Sequence, residues 1–407
     1  MESFRCGAQS WCAVVTKLTP NQVDAWRLRR HSLIDRADRR ELAKVVSSIC
    51  GIQAQILPAA ELAIRARVEG VHRQDVLDGL WKSHSLVKTW SMRGTLHILA
   101  SSDLPLYVAA LRTKLDETKL WLQKEGVTPA EVDAISEEIG KALTRQKLSR
   151  EDLSREVERR TNLAPKTRRY LRSPWGVLLR PAAYQGRLAF GEGIGSKVTF
   201  VGPPKGTNPR DEPSTEQAFV TLFRRFIECY GPTTVGEFAR WWGGIGDRSR
   251  SILQSTEGEL EEVEFGGFRG IMLRRDAEKA GDLEAPSGVR LLPSFDCYAM
   301  HYFPRDLFVS DAHRGRIFRR TAGWNYPAVI TGGKAVGVWS MSKLSHRVEV
   351  TVEAFRPLNL GERRGVEEEV TGIGEFLGSP AEVRFSAAPR RPRQTNTPSE
   401  SPAALRS

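Results

Sequence analysis

Residues 85–99 read SLVKTWSMRGTLHIL. β-favouring side chains run from Leu86 to Met92, Arg93-Gly94 offers a turn, and Thr95 to Leu99 returns to the same texture, so the stretch reads as a hairpin. Upstream, Leu42, Val45, Val46 and Ile49 fall at i, i+3, i+4 and i+7, the apolar stripe of a helix that stops at Gly51. Two shorter helices are expected over about 59–68 and 73–83, the second carrying Val76, Leu77, Leu80 and Trp81. Earlier still, Thr19 caps PNQVDAWRLRRH with Pro20 at the first helical position. Helices closed by a hairpin make a winged helix.

The same order recurs twice. Ser149 with Asp152 reads as a capping box for REDLSREVERR, the basic segment 166–180 supplies another helix, and GRLAF and KVTFV supply two strands. Farther on, Thr234 and Glu237 open VGEFARWW, Asp247 can cap RSRSILQS, and ELEEVEF and FRGIML flank a break at Gly266-Gly267. From about residue 287 the texture is all strand: VRLLPSF, DLFVS, PAVITGGKAVGVWS with a turn at Gly332-Gly333, and HRVEVTVEAF. A small antiparallel barrel is expected there, with a closing helix over about 362–377 that places Val366, Val370, Ile373 and Phe376 on one face. The fold class is therefore α+β: tandem winged helices over 18–125, 126–205 and 212–280, then a C-terminal antiparallel β-barrel with its helix over 287–378. Residues 1–17 and 386–407 are expected outside the fold, the latter because SAAPRRPRQTNTPSESPAALRS has almost nothing to bury.

The chain's 407 residues include 61 Lys plus Arg against 49 Asp plus Glu, a net charge of +12 that favours a polyanionic partner such as nucleic acid. Five cysteines without CxxC spacing suggest neither a zinc cluster nor a disulfide framework, and a soluble protein in a reducing cytoplasm fits them best. No run of about 18 apolar residues occurs, so no membrane span is expected. The words GxxxxGKS/T, HExxH and GxSxG are absent. GEGIGSK at 191–197 misses the phosphate-loop pattern because its glycine and lysine are not adjacent, and a wing turn explains it better.

Basic clusters are the candidates for phosphate contact. Lys166, Arg168, Arg169 and Arg172 crowd one segment; Arg248 and Arg250 open the expected recognition helix of the third unit; His313, Arg314, Arg316, Arg319 and Arg320 neighbour Trp324 and Tyr326. Guanidiniums beside aromatic rings suit phosphate contact and base stacking, with a solvated charged face as the competing account of any one cluster. His97 and His301 read as core or backbone-bonded residues at least as well as catalytic ones. Asp296, Asp306 and Asp311 could pair for acid/base work, but Asp at such positions more often caps turns.

The remaining puzzle is CGIQAQ, residues 50–55, where two neutral amides follow a glycine at a helix end. If the chain from Ile52 to Ile56 is extended, alternation sends Gln53 and Gln55 to one face and Ile52, Ala54 and Ile56 to the other. A glutamine oxygen can accept from water while its NH2 donates, which suits a reaction needing a positioned water and little acid/base help. Hydrolysis of the N-glycosidic bond to an already cationic base is one such reaction. Taken alone, the residues favour local bonding of both amides to neighbouring backbone.

CGIQAQ, KTWSMRGTLHIL, LLPSFDCYAMHYFPRDLF and HRGRIFRR, in that order, resemble the AlkZ-type winged-helix DNA glycosylases, which include the YcaQ branch, over about residues 18–378. The resemblance implies tandem winged helices and a barrel forming a concave surface on double-stranded DNA. It implies excision of N7-alkylated purines and unhooking of interstrand crosslinks without cofactor, metal or obligate protein partner, in the cytoplasm and at the nucleoid when DNA is bound. The family's Gln-x-Gln or Gln-x-Asp motif, which holds the hydrolytic water, falls on Gln53-Ala54-Gln55. Gln55 offers no general base, so a strongly activated cationic adduct is the implied substrate. Arg93 and His97 would buttress the site. The basic residues named above would hold DNA together with His301 and Arg305, and the region His301–Arg305 is the expected place of a groove-inserted hairpin. A non-catalytic DNA-binding protein, regulator or lesion-shielding factor, is the alternative.

Overall fold

The computed structural model describes residues 15–144, 146–204, 213–318 and 325–386. A short strand β1 (Thr16–Leu18) leads into helix α1 (Pro20–Arg30), whose capping box is complete, with Thr19 Oγ1 accepting from the Gln22 N–H and the Gln22 side chain reaching back. Helix α2 (Leu42–Ser48), strand β2 (Ile52–Gln53), helices α3 (Leu57–Arg65) and α4 (Arg73–Trp81), and the hairpin β3 (Leu86–Trp90) and β4 (Leu96–Ala100) make the first unit. Its sheet has the order β2-β4-β3. The long helix α5 (Leu104–Lys124) then leads to α6 (Pro129–Leu143), β5 (Leu148–Ser149), α7 (Arg150–Arg160), α8 (Pro165–Leu171), α9 (Arg180–Tyr184), β6 (Ala189–Ile194) and β7 (Lys197–Val201), with sheet order β5-β7-β6. The basic segment 166–180 is thus divided between α8 and the start of α9, because Pro174 and Gly176 break any single helix there.

A third helix-and-hairpin set follows: α10 (Thr215–Tyr230), α11 (Val235–Trp242), α12 (Ser249–Ser255), β8 (Leu260–Phe265), β9 (Phe268–Leu273) and α13 (Arg274–Gly281). Asp247 lies inside a single 3-10 turn, Gly246–Arg248, ahead of α12 and does not cap it. The sheet order here is β1-β8-β9, with β1 running parallel to β8 from Thr16 opposite Val263 to Leu18 opposite Phe265. Thr16 and Lys17, expected outside the fold, therefore belong to it. Leu18, Val23 and Trp26 pack with Val263, Phe265, Met272 and Ala277 in a separate small core.

The C-terminal part contains β10 (Val289–Leu292), the short helices α14 (Cys297–Met300), α15 (Arg305–Phe308) and α16 (Asp311–Ile317), strands β11 (Ala328–Thr331), β12 (Lys334–Lys343) and β13 (Val348–Ala354), helix α17 (Leu360–Leu377) and strand β14 (Ala381–Ser386). Two expectations are corrected here. DLFVS is mostly helix α15, which begins directly after Pro304, an N-cap residue in extended conformation. The antiparallel barrel is an open five-stranded sheet, β10-β11-β12-β13-β14, whose last pair is parallel because α17 carries the chain back across the sheet before β14. Ser386, expected in the tail, is the last residue of β14.

Contacts between the units place the first unit at the centre. Trp90 of β3 packs on Phe190 and Phe200 of the second unit at ring distances of 4.7 and 6.2 Å. Arg65 of α3 reaches Glu369 of α17 at 2.7 Å, and Arg36 binds the same carboxylate.

Candidate active site and nucleic-acid interface

Two left-handed residues shape CGIQAQ. Cys50 (φ 62) and Gly51 (φ 86) turn the chain out of α2. A Cβ on Gly51 would lie 2.6 Å from Leu99 Cδ2 and 3.2 Å from the Ile98 carbonyl oxygen, so only glycine fits. Ile52 and Gln53 then pair with Ile98 and His97 of β4. The ladder continues one step farther: the Ala54 N–H donates to Leu96 O at 2.7 Å, and the Leu96 N–H donates to Gln55 Oε1 at 2.6 Å. The Gln55 side chain thus replaces the next main-chain acceptor. Ile52 and Ala54 are buried; Gln53, 7% exposed, and Gln55, open to solvent, take the other face. Ile56, expected on the buried side, is exposed because it caps α3 and leaves the extended register.

Arg93 fixes the first amide. Its backbone is left-handed (φ 57), and its guanidinium donates through Nη2 to Gln53 Oε1 at 3.0 Å and through Nη1 to the Trp241 carbonyl at the end of α11. Among the described residues no carboxylate pairs with it, and burial lowers its pKa to about 10. With the Gln53 oxygen held, its NH2 must point the other way. Neither glutamine NH2 has a protein partner among the described residues.

His97, buried opposite Gln53, sets Nδ1 3.1 Å from the Thr95 carbonyl oxygen. Burial first and Arg93 second lower its pKa to about 3, so the ring is neutral. His301 comes to the same place from α14, edge-on to Tyr230 with ring centroids 5.5 Å apart. Burial, then Arg93 with the further cations Arg305 and Arg240, hold it well below its ordinary pKa. Gln53, Gln55, Arg93, His97, His301 and Arg305 thus gather where the first unit meets α11 and the 297–308 segment. That segment is two short helices with a turn between them, not the expected hairpin. Arg240, Tyr230 and the Trp241 carbonyl also belong here; no local pattern marks them, because only tertiary packing brings them to β4.

The remaining expected residues lie elsewhere, and many are already paired. Arg172 binds Glu158, Arg248 binds Glu216 at 2.9 Å, Arg314 binds Asp306 and Asp311, and Arg316 binds Glu353. Lys166 stands 3.9 Å from Glu125. Arg168, Arg169 and Arg250 are exposed and form no ion pair among the described residues. Arg305, already placed at the site, lies over the Phe318 ring at 4.4 Å. Arg319, Arg320 and Trp324 lie outside the described residues.

Asp296 is not available for acid/base work. Fully buried, it binds Arg67 through both oxygens, at 2.7 and 2.9 Å, and accepts from the Tyr298 N–H. His31 beside it meets Cys229 Sγ at 3.2 Å. No group of three or more His, Cys, Asp or Glu among the described residues is placed to hold a metal ion. No helix among them is long and apolar enough to cross a membrane.

Comparison with known proteins gives a single direction. The model of a family described as "DNA glycosylase AlkZ-like" matches residues 46–376. A Streptomyces sahachiroi protein named "Interstrand DNA cross-link repair glycosylase" is 33% identical over 371 residues, 89% of this chain and 97% of the relative. The solved structure of Streptomyces sahachiroi DNA glycosylase AlkZ superimposes with a TM-score of 0.79 at 30% identity, covering 91% of this chain and all of that one.

Proposed function

The chain belongs to the AlkZ-like DNA glycosylase family, and from that premise we propose that it hydrolyses the N-glycosidic bond of cationic N7-alkylated purines in duplex DNA, interstrand crosslinks included. One observation carries this: two amides share one face of an extended segment, their oxygens held and their NH2 groups without a partner among the described residues. An N7-alkylated purine carries a full positive charge, and cleavage returns the bonding pair to N9 and leaves a neutral base. The leaving group therefore needs no protonation. Water attacks C1′ of the oxocarbenium-like sugar and its surplus proton passes to solvent, so the protein's task is to hold that water. Gln53 and Gln55 do so through their NH2 donors and the second lone pairs of their oxygens. With water as the nucleophile, the product is an abasic site in an uncut strand.

The neutral states of His97 and His301 fit a cationic substrate, since each protonated ring would add a repelling charge beside the base. Arg168, Arg169, Arg250 and Arg305 are the candidates for phosphate contact. We read the three helix-and-hairpin sets as winged helices that present one basic surface, so that a base tethered to the opposite strand is met in place and not flipped. The test is incubation with duplex carrying N7-methylguanine or a nitrogen-mustard crosslink. Wild type releases the base, while Gln53→Ala and Gln55→Ala bind the duplex but release at least tenfold more slowly. Binding without release by wild type on both substrates would leave a lesion-shielding protein instead.

A further inference from the structure

Trp175 is the most exposed tryptophan among the described residues, at 75%; the next, Trp121 at 47%, is spent edge-on against Tyr170 at 6.2 Å. A single exposed indole on a loose loop would be unremarkable. This one is braced. The Trp175 N–H donates to Ser173 Oγ at 3.3 Å, the Ser173 carbonyl accepts from the Gly176 N–H at 3.0 Å and from Arg150 Nη1 at 3.1 Å, and the Trp175 carbonyl accepts from Arg180 Nη2 at 3.4 Å. Gly176 has φ +65, and a Cβ there would sit 2.7 Å from Cζ2 of the buried Trp90, so the backbone lies close against that ring while the Trp175 side chain stands in solvent.

The charges around it are uncompensated. Arg150 and Arg180 form no ion pair among the described residues and bind main-chain carbonyls, whereas neighbouring Arg172 is neutralised by Glu158. The location is also specific: Arg180 Nη1 lies 3.8 Å from the point where a Gly94 Cβ would be, and Gly94 follows Arg93, which holds Gln53. Contacts thus run without a break from Trp175 through Arg180 and the first hairpin turn to the amide pair. An exposed indole on a braced backbone, flanked by guanidiniums that no carboxylate pairs with among the described residues, matches a nucleic-acid base between phosphates better than it matches an apolar protein surface.

We propose that Trp175 is a DNA-stacking side chain, its ring laid against a base that local unstacking at the lesion exposes, with Arg150 and Arg180 on the flanking phosphates. It rests on the glycosylase reading only for the choice of duplex.

The full-length chain, as wild type, Trp175→Phe and Trp175→Ala, is titrated with a duplex containing one abasic site and with the same duplex intact. Trp175→Ala is expected to lose about tenfold in affinity for the abasic duplex, the order of a lost base–aromatic stack, and less for the intact one, with Trp175→Phe between it and wild type. Unchanged thermal melting of both variants excludes misfolding. Independently, the fluorescence of wild type minus that of Trp175→Phe isolates this indole, and the abasic duplex should quench it. Equal affinity of Trp175→Ala and wild type on both duplexes, or an indole signal that the duplex leaves unquenched, would overturn the proposal. Failure of the glycosylase reading would appear separately, as no base release by wild type, whatever the stacking measurements give.

Discussion

Arg93 bonds two carbonyl oxygens from different parts of the chain, and its fork is what makes both contacts possible. A lysine would keep the charge but present one ammonium, able to satisfy Gln53 or Trp241 but not both with the same geometry. Arg93→Lys is therefore expected to slow base release about ten- to a hundredfold, the range of a lost charge-assisted hydrogen bond of about 1.5–3 kcal/mol, with duplex affinity little changed. Single-turnover rates set beside binding titrations check this; equal losses in both would make Arg93 a phosphate contact and not a positioning residue. Part of the site at this level was legible beforehand. Alternation alone put Gln53 and Gln55 on one face, since a two-residue period is a local property. Their acceptors' partners were not legible. The expectation of local backbone bonding fails for both: Gln55 does accept from a main-chain N–H, but that of Leu96, 41 positions on, and the donor to Gln53 is a side chain 40 positions on.

Helix α11 ends where Gly243 adopts a left-handed conformation (φ 94), and that end presents the Trp241 carbonyl to Arg93. A Cβ at Gly243 would lie 3.0 Å from Arg93 Cα and 3.1 Å from its Cγ, so it would press on the backbone and side-chain stem that aim the guanidinium. Gly258 has a similar backbone (φ +85) with nothing within 4 Å of its Cβ position. Alanine at either site should cost about 1–2 kcal/mol in urea unfolding, the strain of a left-handed residue. Only Gly243→Ala should also slow base release, because only there does the methyl displace Arg93; equal rates for the two variants would refute the coupling of α11 to the amide pair. The helix ends and hairpin turns were readable from single residues, as with Thr19, Ser149, Thr234 and Gly266-Gly267, since caps and turns depend on chemistry within a few positions. The parallel partner of β1, and β14 after α17, were not, because each is recruited by a strand far away in sequence and carries little pattern of its own.

The whole molecule buries imidazoles where charges of its separate parts meet, and this gives stability a direction in pH. His31 is enclosed by Cys229, Tyr230 and Tyr298, and burial first, then Arg67 and Arg27, lowers its pKa well below the ordinary 6.5. His97 is lowered to about 3 by burial and then Arg93. Both rings are neutral in the fold, whereas the unfolded chain protonates them near their ordinary value. Between these limits the unfolded state binds more protons, so this part of the stability is complete above about pH 6.5 and is lost as pH falls, at about 1.4 kcal/mol per pH unit for each ring. Asp24 and Asp276, raised mainly by burial, act with the opposite sign. The wild-type curve alone therefore does not isolate the imidazoles, and His97→Gln is the informative comparison. Urea unfolding free energies measured at intervals from pH 8 to 5 should be nearly level at first and then decline for wild type, with a slope shallower by about 1.4 kcal/mol per pH unit in His97→Gln below pH 6. Base release measured in parallel should persist down this range while the protein remains folded, since the proposed chemistry uses no side chain that titrates there. A release rate that instead follows one ionisation near pH 6 would place a histidine in the reaction and remove the two amides from the centre of it.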